Sequence, residues 1–139
     1  MDRPDTRRIG SVALENRLIL APMAGMLRLP VRLAYRKLGA AMTCVGVIDA
    51  RAVVQSAGDE LITVLGKREI TSTEERPVCV QLAGSDAETL AAAARRIEKH
   101  ASVIDLNFSG PLQRLMDKGY GQAGLLREPE RIGEIVTAV

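Results

Sequence analysis

Four short apolar runs, at 18–21, 42–48, 78–82 and 103–106, punctuate the chain. Each is continuous rather than alternating, and three are rich in valine or isoleucine, the pattern of strands buried on both faces. The segments between them carry helical spacing. Val31, Ala34, Tyr35 and Leu38 recur at i, i+3, i+4 and i+7 and predict a helix with that stripe as its apolar face. Pro30 opens it where a missing N–H costs nothing, and Gly39 supplies the stop. A weaker helical stretch covers 50–65, interrupted near Gly58. Ser85-Asp86-Ala87-Glu88 reads as a capping box ahead of an alanine-rich helix over 86–100. Pro129 starts a last helix whose apolar face is Ile132, Ile135, Val136 and Val139.

Strand and helix therefore alternate four times, which predicts a parallel α/β sheet under helical cover. No linker or low-complexity tract interrupts the 139 residues, so 1–139 is expected to form one domain. A closed βα barrel takes eight such units and about 250 residues. This chain holds four units and stops where a fifth strand is due. A small open sheet and half of a barrel both satisfy the pattern.

Composition narrows the classes of function. At 47% hydrophobic residues the chain has enough apolar mass for a core. With only Tyr35, Phe108 and Tyr120 as aromatics, that core is aliphatic. No apolar run approaches the roughly 20 residues of a membrane helix, so no membrane partner is expected. The charged start, MDRPDTRRIG, has no apolar h-region and does not read as a secretory signal. Cys44 and Cys79 sit inside apolar runs and outside any CxxC pair, which predicts core thiols in a reduced, cytoplasmic protein. Net charge is +2, too mild to mark a nucleic-acid binder. Most of the cations are arginine, whose planar fork suits phosphate, though an arginine-biased genome gives the same composition. His100, the only histidine, falls at a helix C-terminus, where a cap or a cationic imidazole is expected. No His/Cys cluster is present to hold a metal.

In parallel α/β folds the chemistry lies beyond the carboxyl ends of the strands. Two amides, Gln81 and Asn107, emerge there, at equivalent ends of the third and fourth runs. Each alone reads as a structural amide bonded to neighbouring backbone; the two together point to a ligand that presents amide-like groups. Asp105, two residues before Asn107, is either a buried, paired carboxylate or a residue facing a barrel interior. The glycines along this rim form neither GxGxxG after a strand nor GxxxxGKS/T, so the common dinucleotide and phosphate loops are not expected.

The first strand and its turn, Leu20-Ala21-Pro22-Met23-Ala24-Gly25, followed by Leu29-Pro30-Val31-Arg32, resemble the opening of the tRNA-dihydrouridine synthases. Three further blocks fall in the family's order. Glu75-Arg76-Pro77 leads into Val78-Cys79-Val80-Gln81-Leu82-Ala83-Gly84-Ser85-Asp86, then comes Ile104-Asp105-Leu106-Asn107-Phe108, then the glycine segment ending in Leu125-Leu126-Arg127-Glu128-Pro129. The resemblance runs over residues 9–139. It implies an FMN-dependent TIM barrel that reduces uridine in tRNA, with NADPH or NADH recharging the flavin. It places Pro22, Met23 and Ala24 against the isoalloxazine ring, Gln81 on the flavin's polar edge, and Asn107 facing both flavin and substrate base.

The departures are equally specific. The family's general acid is a cysteine just after the asparagine turn; here the turn reads Ser109-Gly110-Pro111, so Gly110 stands at that position. Tyr120 is then the remaining nearby side chain with a proton to give. Arg114 stands where the family has a lysine, and Leu27-Arg28 where it has Thr-Asp. The resemblance covers the N-terminal half of the barrel, a parallel (βα)4 unit. The second half carries a flavin-contacting lysine and the flavin phosphate site. Two alternatives follow: a non-catalytic half-barrel that binds or assembles, or a flavin oxidoreductase acting on a small molecule. The open first and fourth strands predict pairing, with a second copy or with a partner half-barrel.

Overall fold

In a computed structural model, which describes residues 7–23, 26, 28–57, 73–108 and 128–139, the first element is a hairpin. Strands β1 (Arg8–Ile9) and β2 (Val12–Ala13) pair antiparallel. Their turn holds Gly10 at a φ of +56°, which glycine adopts without a Cβ clash. The sequence reading assigned no element here. The hairpin delivers Leu14 onto a cluster of Met42, Cys44 and Cys79.

The four apolar runs form β3 (Ile19–Leu20), β4 (Met42–Asp49), β5 (Val78–Ala83) and β6 (Val103–Asn107). All pair in parallel, in the order β3-β4-β5-β6. Helices α1 (Leu29–Lys37), α2 (Ala50–Gln55), α3 (Ala87–Ile97) and α4 (Pro129–Ala138) alternate with them. The helical pattern over 50–65 is realised as far as Gln55; residues 58–72 lie outside the described set. An open, doubly wound sheet reverses its strand order and takes helices on both faces. This sheet keeps chain order and packs its helices on one face, so of the two architectures it is half of an α/β barrel.

The helix-covered face follows from strand alternation. Val45, Val78, Val80 and Leu82 pack under Val53 of α2, Leu90 and Ile97 of α3, and Ile135 of α4. Ala93 and Ala94 let α3 approach the sheet closely. On α4 only Ile135 is fully buried; Val136 and Val139 of the expected apolar face are exposed.

Helix α1 corrects the sequence reading. Its expected apolar stripe is on the outside, with Leu38 81% exposed and Val31 and Tyr35 also exposed. The inward set is Leu29, Arg32, Leu33 and Arg36, which has the same i, i+3, i+4, i+7 spacing. Arg32 can be buried because its charge is met. Its Nε and Nη2 make a fork with the Glu75 carboxylate, the Nη2–Oε2 arm at 2.9 Å. The Thr43 hydroxyl donates to the same carboxylate at 2.6 Å. Arg36 caps the turn beneath, donating to the carbonyls of Ala40 and Arg76. The stop at Gly39 is as expected: at φ +102° it supports paired bonds from Gly39 N–H to Arg36 O and from Ala40 N–H to Tyr35 O, a Schellman closure.

A second correction concerns α3. The cap is Asp86 rather than Ser85, because the helix begins at Ala87. The Asp86 carboxylate accepts from Thr89 N–H at 2.8 Å and from the Thr89 hydroxyl at 2.6 Å. Those bonds hold its carboxyl below the usual range. Asp86→Ala should therefore cost about 1 kcal/mol at neutral pH, measured by urea unfolding. A carboxyl lowered in the folded state stabilises above its unfolded pKa and stops doing so as pH falls through the folded value. The gap between parent and variant should shrink as the pH drops below about 4. An unchanged gap at pH 2 would show that charge and cap are not the cause.

Candidate functional site

The opposite face of the sheet carries the site, and it is layered. At the amino end lie Met42, Cys44 and Cys79, with Val103 and Leu14 against them. Cys44 and Cys79 are register partners and both buried, as core thiols were expected to be. The hydrogen bond between the thiols lowers the Cys44 pKa and raises that of Cys79, with burial adding to the rise at Cys79. They sit beneath the polar layer as packing.

That polar layer begins with a bulge. Val45 pairs with Val80 and Ile48 with Leu82, so Gly46 and Val47 both face the single residue Gln81. Gly46 sits at φ +140°, and a Cβ there would come within 3.0 Å of Gln81 Cβ and O. Only glycine lets β4 pass this close to Gln81. The sequence reading took 42–48 as an uninterrupted strand and missed this; a glycine inside an apolar run was the available signal.

Gln81 and Asp105 are register partners, as are Ala83 and Asn107, so the three polar side chains share the inner face. The Gln81 Nε2 donates to Asp105 Oδ2 at 2.6 Å. The Asn107 Nδ2 donates to Gln81 Oε1 at 3.2 Å. Of the two readings left open for Asp105, the interior-facing one holds; the carboxylate is paired with Gln81 but is half-buried rather than buried. The carboxylate also fixes which way round the Gln81 amide sits, since only the nitrogen can donate to it. Gln81 retains one amide hydrogen beyond its bond to Asp105. All three side chains are half-buried.

The other expected residues divide. Pro22 and Met23 follow β3 at the same carboxyl rim, Pro22 half-buried and Met23 exposed. Ala24, Gly110 and Tyr120 lie outside the described residues, as does the Ser109–Pro111 turn region at 109–111. His100 is at the opposite end of the sheet, closing a turn, Glu98–His100, that leads into β6. Burial lowers its pKa, and the neighbouring Lys99 and Arg76 lower it further, so the cationic imidazole is disfavoured there. Among the described residues no cluster of three or more His, Cys, Asp or Glu could hold a metal. The arrangement is thus an amide–amide–carboxylate chain at the carboxyl end of a half-barrel. It can bind a planar polar edge through fixed donors and acceptors.

Comparison with known proteins identifies the family. A family model described as dihydrouridine synthase matches residues 19–139. The chain belongs to the dihydrouridine synthase family. It is 38% identical over 133 residues to the tRNA-dihydrouridine synthase B of Pseudomonas aeruginosa, covering 95% of this chain and 38% of that protein. The corresponding protein of Pseudomonas putida is 36% identical over the same length, again over 38% of its own. A probable tRNA-dihydrouridine synthase of Rickettsia bellii is 32% identical over 132 residues, 39% of its length. The chain therefore spans well under half of these dihydrouridine synthases. Among the described residues no helix is long and apolar enough to cross a membrane.

Proposed function

We propose that this chain is the flavin-facing half of an FMN-dependent tRNA-dihydrouridine synthase, acting on uridine in tRNA with NADPH or NADH as reductant. Family membership and the relatives' names support the substrate class. The observation that carries the site is the Asn107–Gln81–Asp105 chain on the inner face. Its donor set fits the group. A flavin's pyrimidine edge alternates carbonyl oxygens with an N–H, and two amides with a carboxylate behind them offer matching donors and acceptors. When bound, FMN supplies the hydride that reduces the uracil double bond.

The chain's own residues would do the rest. Gln81 and Asn107 bind the polar edge, and Asp105 acts as a positioning residue by holding the Gln81 amide. Pro22, Met23 and Ala24 lend apolar surface at the end of β3. The target base must leave its stack to reach this rim. Gly110 has no proton to donate and the hydroxyl of Ser109 is a poor acid, which leaves Tyr120 as the candidate donor, a phenol's reference pKa being about 10. The whole of 1–139 acts as one domain in the cytoplasm in this reading. Titration of FMN, followed by its fluorescence, tests it. Gln81→Ala and Asn107→Ala should each weaken binding about tenfold, the size of a lost buried hydrogen bond. Equal affinity of parent and both variants contradicts the assignment.

We further infer that the half-barrel closes on a second copy. In chain order α1 follows the edge strand β3 and α4 follows the edge strand β6, and each of these flanking helices leaves apolar side chains exposed, Val31, Tyr35 and Leu38 on α1 and Val136 and Val139 on α4. A two-fold axis would bring these flanks together and pair the open edges of β3 and β6. Leu38→Glu should weaken association by roughly ten- to a hundredfold, the effect of losing one buried leucine. Sedimentation that finds the parent a folded monomer at micromolar concentration excludes the dimer.

A further inference from the structure

The amino-terminal rim of the sheet gathers cations that no carboxylate meets among the described residues. Arg17 precedes β3, Arg36 and Lys37 end α1 ahead of β4, Arg76 stands before β5, and Lys99 with His100 stands before β6. They are contiguous. The Asn16 side chain donates to Gly39 O, which ties the Arg17 loop to the end of α1. Arg36 Nη2 donates to Arg76 O at 3.2 Å, and Arg76 Nη2 donates to Lys99 O at 3.3 Å. These guanidinium groups bond to backbone carbonyls, which leaves their charge in place. His100 reports the resulting field: after burial, Lys99 and Arg76 are what hold its pKa down. Glu15, Glu74 and Glu98 are on the same side, yet none forms an ion pair with these cations among the described residues.

The carboxyl rim differs. There Arg28 is exposed ahead of α1, but Arg51 lies 3.7 Å from the Asp49 carboxylate and Arg131 3.3 Å from that of Glu128, and Asp86, Glu88, Asp105 and Glu130 add negative charge. Among the described residues the charge is therefore polar along the strand direction. The rim proposed to take flavin and base is acidic among the described residues, and the opposite rim is basic. Adjacent strands lie about 4.8 Å apart, so the junctions before β4, β5 and β6 present their cations as a row about 10 Å long.

We propose that this amino-terminal rim is a phosphate-backbone contact surface for RNA, separate from the rim that takes the base; it rests on the tRNA reading above. Arg76 commits only Nη2 to the backbone and keeps its other N–H groups for a phosphate oxygen. Contacts of this kind fix position without reading sequence. Each phosphate neutralised steepens the dependence of log K on log salt by about 0.7–0.9.

The test is RNA binding by the 139-residue chain, using an unmodified tRNA transcript and fluorescence anisotropy between about 50 and 200 mM salt. Lys37→Gln with Lys99→Gln removes two charges whose side chains make no hydrogen bond among the described residues, so folding is not at stake. That pair should flatten the salt slope by about 1.5, and adding Arg76→Gln by about 2–2.5 in all. Arg51→Gln with Arg131→Gln, at the carboxyl rim, should leave it unchanged. FMN affinity, read on the amino-rim variants, should not move with either of them. A slope carried by the carboxyl-rim pair overturns the proposal. So does binding to phosphatidylserine vesicles without binding to RNA, or a parent that binds no RNA. Loss of FMN binding by the parent, with the RNA slope behaving as stated, would instead strike the flavin reading and leave this surface standing.

Discussion

Glu75→Ala should cost the fold about 3–5 kcal/mol, the usual result of removing one partner from a buried ion pair. Glu75 and Arg32 are each only 1% exposed, and Thr43 is fully buried beside them. The substitution leaves the guanidinium without its counter-charge and the hydroxyl without its acceptor. Against a typical total stability of about 5–15 kcal/mol, a loss of that size brings the chain close to unfolding. Urea unfolding should show a much lower midpoint with an unchanged slope. The double variant Arg32→Met with Glu75→Leu should recover part of the loss, since no charge is then left buried. A single variant within 1 kcal/mol of the parent would show that water or another group reaches Arg32, and that α1 is held in some other way.

The second large effect is on rate. If the chain reduces uridine as proposed, the reaction should be slow, because Gly110 occupies the place where the resemblance puts a cysteine acid. A positioned general acid contributes about 10²–10⁴-fold. Gly110→Cys should raise dihydrouridine formation by a factor in that range, measured in unmodified tRNA under single-turnover conditions with pre-reduced flavin. Tyr120→Phe should lower the residual rate of the parent, if the phenol supplies the proton in place of the thiol. A parent already as fast as the cysteine variant, and indifferent to Tyr120→Phe, would move the acid elsewhere and unsettle the substrate class with it.

What could be read from the sequence follows from how far apart the cooperating residues are. The four strands were legible because each is a continuous apolar run, a local signal. Gln81 and Asn107 were legible as amides at the ends of such runs. Their bond to each other, and the bond from Gln81 to Asp105, depend on the register of two parallel strands, and no single run carries that information. Helix α1 was read with the wrong face inward for the same reason. The residue that makes its polar face the buried one, Glu75, lies 43 positions beyond Arg32. Two equally spaced stripes compete on that helix, and apolarity alone chose the wrong one. The capping box was misplaced by a single residue because Ser85 and Asp86 are both good caps, and only the start of the helix at Ala87 separates them. The Gly46 bulge needed the partner strand before it could be recognised.

The central claim is that the amide chain at the carboxyl rim is where flavin is held. Nuclear magnetic resonance of the ¹⁵N-labelled chain tests it directly, through the side-chain amide signals of Gln81 and Asn107 as FMN is added. Both signals should shift in step with FMN binding, while the backbone signals of Lys99 and His100, at the opposite rim, stay where they are. Binding of FMN that leaves both side-chain amides unmoved, or that shifts the amino-terminal rim instead, would contradict the account.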